Sequence, residues 1–256
     1  MLELIRHDMI VELRLARPPV NAFDVGLSRA LREAIEGAPR DGARGVLISG
    51  RPGMFSGGLD VAAVLQLDQA GKLADLWGEY SSLCRTIAAS TLPVVAAITG
   101  HCPAGGAVIS TFCDYRVMAR SSDAAKPYRI GLNETQVGLV VPAEVQTGLR
   151  RLVGAYRAER LMVAGAMLDS EEALRVGFVD ELAEPAQVVS RALAWLGKLL
   201  ALPPQAMSGT RRIARAALVA EFDALRSGDV HVFVRGWFTD ESRAVLTAVL
   251  AKLKSK

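Results

Sequence analysis

Residues 93–119 read PVVAAITGHCPAGGAVISTFCDYRVMA, and the reading of this stretch decides the fold. Pro93–Thr99 is a short, uninterrupted apolar run, the signature of a strand buried on both faces. Gly100–Gly106 has the glycine and proline content of a turn. Ala107–Cys113 then reads as a short helix and Asp114–Ala119 as a further strand. The same order occurs upstream: the buried strand Gly45–Gly50 (GVLISG), the glycine-rich turn Arg51–Asp60 (RPGMFSGGLD), then helical sequence with a long stretch over residues 70–90. A repeated strand, glycine turn and helix predicts an α/β fold with helices packed against strands.

Outward from this centre, residues 2–7 and 9–15 alternate as two strands of a hairpin, which Pro18-Pro19 ends. Asp24 is a candidate N-cap for a helix carrying Leu27, Leu31 and Ile35 at helical spacing, and Pro39 stops it. Downstream, Tyr128–Gly131 reads as a fourth strand after a polar, exposed linker over 120–127. From Pro142 helices dominate, with a short strand near Gly177–Glu181 and prolines 185, 203 and 204 at helix beginnings. The expected division is an α/β core over residues 1–198 and a helical region over 199–256.

Of the 256 residues, 51% are hydrophobic and 22% charged, which suits an ordinary water-soluble domain with a sizeable core. No apolar run approaches the roughly 20 residues that span a bilayer. The start, MLELIRHDMIVELRL, alternates and carries acids, unlike a secretory signal or transit peptide, so a cytosolic location is expected. The net charge of +3 is mildly basic, but the arginines cluster only at 150–151 and 211–215. Nucleic-acid binding usually demands more concentrated charge, whereas an anionic small ligand fits as well. Cys84, Cys102 and Cys113 lack CxxC spacing and read as buried thiols. His7, His101 and His231 lack metal-binding spacing, and no metal is expected. The motifs GxGxxG after the first strand, GxxxxGK[ST] and GxSxG are missing, which argues against dinucleotide, P-loop and serine-hydrolase chemistry.

Two glycine turns at helix N-termini present unpaired backbone N–H groups. Leu59 directly precedes the helix-starting Asp60, and Gly105 precedes the helix of the second turn. If the two amides converge they form an oxyanion hole, each donor contributing about 3 kcal/mol toward a developing oxyanion. Either turn alone reads as an ordinary tight connection. The third element is Ile130–Leu139 (IGLNETQVGL), where Glu134 sits between apolar flanks. Such surroundings raise a carboxyl pKa toward neutrality and suit proton transfer, although Glu134 alone also reads as a surface turn acid.

FSGGLD (55–60), ITGHCPAGGAVISTFCDYRVMA (98–119) and IGLNETQVGLVVP (130–142) resemble the crotonase, or enoyl-CoA hydratase/isomerase, superfamily, and within it the mitochondrial-type Δ3,Δ2-enoyl-CoA isomerases. The resemblance runs from PPVNAF (18–23) to the C-terminal helices. It implies a spiral of ββα units followed by a helical trimerisation region, and a homotrimer or hexamer acting on acyl-CoA. No separate cofactor is implied, because coenzyme A arrives as part of the thioester. It also implies that the amides of Leu59 and Gly105 hold the thioester oxygen, with Gly58, Asp60 and Gly106 in the substrate-binding set. Ala22 and Phe23 match positions lining the CoA site through backbone groups. Phe233, Lys252 and Lys254 match the C-terminal segment that approaches CoA. Trp77 and Tyr80 fit either an acyl tunnel or plain core, and His101, Asp114 and Arg116 read as packing or structural residues.

The departures from the family pattern are informative. Hydratases carry a second glutamate where this chain has Val108, and their PGxGG turn is replaced by Pro142–Thr147 (PAEVQT). Glu144 in that segment reads as a helix N-terminal acid, with an assisting role left open. Holding and activating a water takes two acid/base groups, whereas moving a double bond takes one. The expectation is therefore a Δ3,Δ2-enoyl-CoA isomerase of fatty-acid oxidation, with Glu134 as a lone proton shuttle. The alternatives are another crotonase reaction, hydration or thioester hydrolysis, and a non-catalytic acyl-CoA or RNA-binding member of the fold.

Overall fold

The computed structural model describes residues 1–66, 70–123, 125–224 and 234–254. Strands β1 (Leu2–His7) and β2 (Ile10–Leu15) form the hairpin, antiparallel from Leu2↔Leu15 to His7↔Ile10. Helix α1 (Val25–Gly37) starts where Asp24 accepts a 2.7 Å hydrogen bond from the Leu27 amide, and it buries Leu27, Leu31 and Ile35. Then come β3 (Gly45–Ser49), β4 (Gly53–Met54), α2 (Val61–Leu65), α3 (Ala70–Ala89), β5 (Val94–Ile98), β6 (Gly100–Pro103) and α4 (Gly105–Phe112). Strands β7 (Tyr115–Ala119) and β8 (Arg129–Gly131) lead to a 3-10 turn, Glu134–Val137, and to α5 (Ala143–Val153), α6 (Ala155–Val163), β9 (Leu168–Asp169) and α7 (Ser170–Val176). Strand β10 (Glu181–Ala183) precedes α8 (Val188–Leu200), α9 (Pro204–Ala214), α10 (Ala216–Ala224) and, after the undescribed residues, α11 (Asp240–Lys254).

The strands form two sheets. The larger has the order β1-β2-β3-β5-β7-β10, with every pairing after the hairpin parallel. Parallel neighbours need crossovers, and these cover both faces with helix. Val46, Ile48, Val94, Ala96 and Ile98 point into the main core with α1 and α3. Leu47, Val95, Ala97 and Val117 point the other way, onto Val188, Ala192, Leu196 and Leu200 of α8. This two-sided burial is why these strands read as continuous apolar runs.

The smaller sheet has the order β4-β6-β8-β9 and corrects the sequence reading. Gly100–Gly106 is not one turn: its first four residues pair with β4 and β8, and α4 begins at Gly105 rather than Ala107. Strands of two to four residues rich in glycine and proline carry no alternation to read. The repeated unit is thus ββα, the chain leaving one sheet and entering the other at a glycine corner. A Cβ on Gly100 would lie 2.0 Å from the Gly53 carbonyl carbon, and one on Gly50 would lie 2.4 Å from the Met54 oxygen. Only glycine lets the two chains pass so closely.

A second correction concerns Gly177–Glu181. Gly177, at φ 84°, ends α7 in the left-handed region, and the strand is displaced to Glu181–Ala183. Phe178 and Val179 are buried in the turn itself, with the Phe178 amide bonded to Ala173 O at 2.8 Å, so apolarity there reports core and not strand.

The C-terminal helices are tied back to the sheets. Asp114 accepts from Arg211 Nε at 2.9 Å, from Arg215 Nη1 at 3.0 Å and from the Val94 amide at 2.8 Å. Arg116, also buried, pairs with Asp180 at 2.7 Å. Helix α11 folds over the 3-10 turn, where Ser242 Oγ donates to Gly138 O at 2.7 Å, and reaches α2 through Arg243 Nη2 to Leu65 O at 3.4 Å. Among the described residues no helix is long and apolar enough to cross a membrane.

Candidate active site

The first glycine turn is held by main-chain bonds to the segment before α1. The Phe23 amide donates to Gly58 O at 2.7 Å, the Asp60 amide to Phe23 O at 2.9 Å and the Gly57 amide to Val20 O at 2.7 Å. Gly58 takes φ 92°, which a side chain would strain. Asp60 then caps α2, accepting from the Ala63 amide at 3.0 Å, and pairs with Arg17 Nη2 at 2.7 Å. Burial opposes its charge, but the Ala63 amide and the Arg17 guanidinium outweigh it and hold the Asp60 carboxyl below its usual range.

The second turn is strained. Ala104 has φ 45° and ψ −120°, a conformation that side-chain-bearing residues rarely adopt. It is kept there by its amide on Gly131 O at 2.9 Å and its carbonyl under the Val108 amide at 2.9 Å. The turn lays Gly105 against the first turn: a Cβ on Gly105 would lie 3.1 Å from Gly58 Cα and 3.2 Å from the Leu59 nitrogen. Neither the Leu59 nor the Gly105 amide has an acceptor among the described residues. Two unspent N–H donors therefore stand side by side at the edge of one cavity.

That cavity has a volume of about 360 Å³, and Leu59, Gly105, Glu134, Val108, Tyr80 and Trp237 are among its lining residues. Glu134 enters it from the 3-10 turn after β8. The residue is only 8% exposed, and its Oε2 has no hydrogen-bond partner among the described residues. Burial in this apolar setting raises its pKa to about 7. A carboxyl poised there can accept a proton and give it back near neutrality. Val108, 3% exposed on α4, contributes only methyl groups to the same space.

The structure therefore brings Leu59, Gly105 and Glu134 together. Gly58, Asp60 and Gly106 support the wall from behind: a Cβ on Gly106 would fall 2.9 Å from Ser56 O, so that glycine serves the packing of the two turns. The Phe23 amide and carbonyl, expected to line a CoA site, both hydrogen-bond to the Leu59 turn, and its side chain is fully buried. The Ala22 carbonyl is likewise taken, accepting from Arg17 Nη1 at 2.9 Å. Phe233 lies outside the described residues; Lys252 and Lys254 fall on α11, with side chains outside them. Glu144 is buried in the first turn of α5 and does not line the cavity.

Sequence reasoning did not anticipate the α11 wall. Leu246, Val249 and Leu250 of α11 line one side of the cavity, and their helical spacing was the available signal. It also missed Asn133, whose Oδ1 is buried next to Glu134 in the chain and has no partner among the described residues. A larger cleft of about 740 Å³ lies between the end of α3 and helices α9 and α10. Three of its charged groups are committed elsewhere: Arg211 and Arg215 bind Asp114, and Asp223 binds Arg85, while Arg212 also lines it. It offers no poised acid or base.

A sequence profile for enoyl-CoA hydratase/isomerase matches residues 6–256. The chain is 33% identical over 249 residues to human enoyl-CoA delta isomerase 1, mitochondrial, covering 96% of this chain and 81% of that protein. It is 31% identical over 231 residues to the probable enoyl-CoA hydratase EchA17 of Mycobacterium tuberculosis, covering 88% of this chain and 85% of that protein. The crystal structure of human mitochondrial delta3-delta2-enoyl-CoA isomerase superimposes with a TM-score of 0.93 at 31% identity, covering 99% of this chain and 98% of that one.

Proposed function

The chain belongs to the enoyl-CoA hydratase/isomerase, or crotonase, family, and on that premise we propose that it is a Δ3,Δ2-enoyl-CoA isomerase of fatty-acid oxidation with Glu134 as its lone acid/base. The observation that carries this reading is one buried carboxyl, raised to about 7, whose Oε2 has no partner among the described residues, in a cavity also lined by Leu59 and Gly105, whose amides have no acceptor among them.

In the proposed reaction the thioester oxygen of a 3-enoyl-CoA accepts from the Leu59 and Gly105 amides. The Glu134 carboxylate removes a proton from C2, and the electron pair delocalises onto the thioester oxygen and, through the C3–C4 double bond, onto C4, giving a dienolate. The two amides stabilise that charge, each by about 3 kcal/mol. Protonated Glu134 then delivers the proton to C4, leaving the double bond between C2 and C3. Coenzyme A is carried in with the substrate, and the protein works as a homotrimer or hexamer.

Relatives named as hydratases make hydration the competing reaction. Val108 speaks against it, because an attacking water would have one carboxylate partner where two are needed to activate it and protonate the adjacent carbon. Product analysis of 3-hexenoyl-CoA and crotonyl-CoA separates the two. Isomerisation gives a 2-enoyl product of unchanged mass and leaves crotonyl-CoA untouched. Gain of one water by crotonyl-CoA at a comparable rate, or retained isomerisation in Glu134→Gln, would overturn the proposal.

A further inference from the structure

Tyr80 is a buried phenol that the proton shuttle does not use. It lies on α3, 1% exposed, and its hydroxyl donates to the Gly105 carbonyl at 2.5 Å. Its proton is thus committed to main chain and is not directed at a ligand, although the ring borders the cavity. The ring meets Phe23 edge to face, with centroids 5.4 Å apart and planes at 66°. Trp77, one turn earlier on α3, packs on the same ring at 5.7 Å. Phe23 is bonded on both sides of Leu59, to Gly58 O and from the Asp60 amide. A continuous line of contact therefore runs from the Leu59 turn through Phe23 and Tyr80 to Gly105.

We infer that Tyr80 is a positioning residue that, braced against Phe23, fixes the separation of the Leu59 and Gly105 amides. The need for such a brace follows from the composition of the turns. Gly57, Gly58, Gly105 and Gly106 surround the two donors, and glycine restrains its own torsions least of all residues. Ala104 is additionally held in a conformation it would leave if released. An oxyanion hole works because its dipoles are in place before charge develops, so a few tenths of an ångström of slack weakens it. Burial pushes the Tyr80 phenol well above its ordinary pKa, which keeps it a neutral donor.

The inference rests on the reading that a thioester oxygen sits between the two amides, and its test uses a probe that reports that contact without turnover. Polarisation of the carbonyl of a bound 2,4-dienoyl-CoA shifts its absorbance to the red. The expected result is a clear red shift with the wild type. Tyr80→Phe is expected to bind the probe within about 2-fold but to lose half or more of the shift, while kcat falls about 10-fold and KM stays within about 2-fold. A wild-type shift and kcat in Tyr80→Phe would overturn the inference, as would a loss of melting temperature with the shift intact. If Tyr80→Phe does not fold, Phe23→Leu keeps the main-chain bonds and removes only the ring contact. A reduced shift there supports the brace, and a full shift overturns it. No red shift in the wild type would remove the thioester-oxygen reading itself, and the brace with it.

Discussion

A carboxyl that burial raises to about 7 opposes folding wherever it is ionised. In the unfolded chain Glu134 titrates near the ordinary glutamate value of 4.5, so the native state holds the extra proton between these two values. Stability therefore falls as pH rises from about 4.5 to about 7, by about 3–4 kcal/mol at most, and stays at the lower level above. Glu134→Gln removes the charge in nearly the same shape. It should raise the melting temperature at pH 8, give little gain at pH 5, and lower turnover by about 1,000-fold. Thermal melts at the two pH values check the first part; an equal gain at both would show that the carboxyl is not raised. Because the shuttle begins as a carboxylate, kcat/KM should also fall about tenfold per pH unit below about 7. The apolar flanks of Glu134 fitted burial but also a surface turn acid, and the family resemblance decided between them. The spent backbone of Phe23 and the strain at Ala104 were not, since both arise from contacts with segments distant in the chain.

The elements that announce themselves are those with a period. Helix α1 was legible from Asp24 and its apolar spacing, and β3 and β5 from their apolar runs. The short strands of the second sheet, β4 and β6, are built around Gly53 and Gly100, whose side-chain-free backbones touch. Such closeness leaves no pattern along the chain, only the glycine itself. Gly100→Ala should cost more than about 3 kcal/mol or prevent soluble expression, since main chain and not a movable side chain stands in the way. Gly78, inside α3, has nothing within 4 Å of its would-be Cβ, and Gly78→Ala should stabilise by about 0.5–1 kcal/mol. Chemical denaturation of the two variants measures both, and similar effects would refute the distinction between corner and helix glycines.

Across the whole molecule, two distant segments meet over one site. The spiral of ββα units supplies the amides and Glu134, while α11, more than 100 residues further on, supplies the wall of Leu246, Val249 and Leu250. Ser242 on Gly138 and Arg243 on Leu65 fasten that wall on two sides. The sequence pattern conveyed a repeat of strand and helix and a helical end, and the family resemblance the spiral, but neither told that the end lines the chamber, because an apolar helix stripe does not name its partner. The apolar lining of the chamber has an isotopic consequence. A proton lifted by Glu134 has few water molecules to exchange with before it is returned. Deuterium placed at C2 of a 3-enoyl-CoA should therefore reappear largely at C4, and a reaction run in heavy water should leave most product unlabelled, as mass spectrometry would record. Full equilibration with solvent would mean that water reaches the carboxyl faster than the proton moves; retention would make the chamber a molecular memory of which hydrogen the substrate brought in.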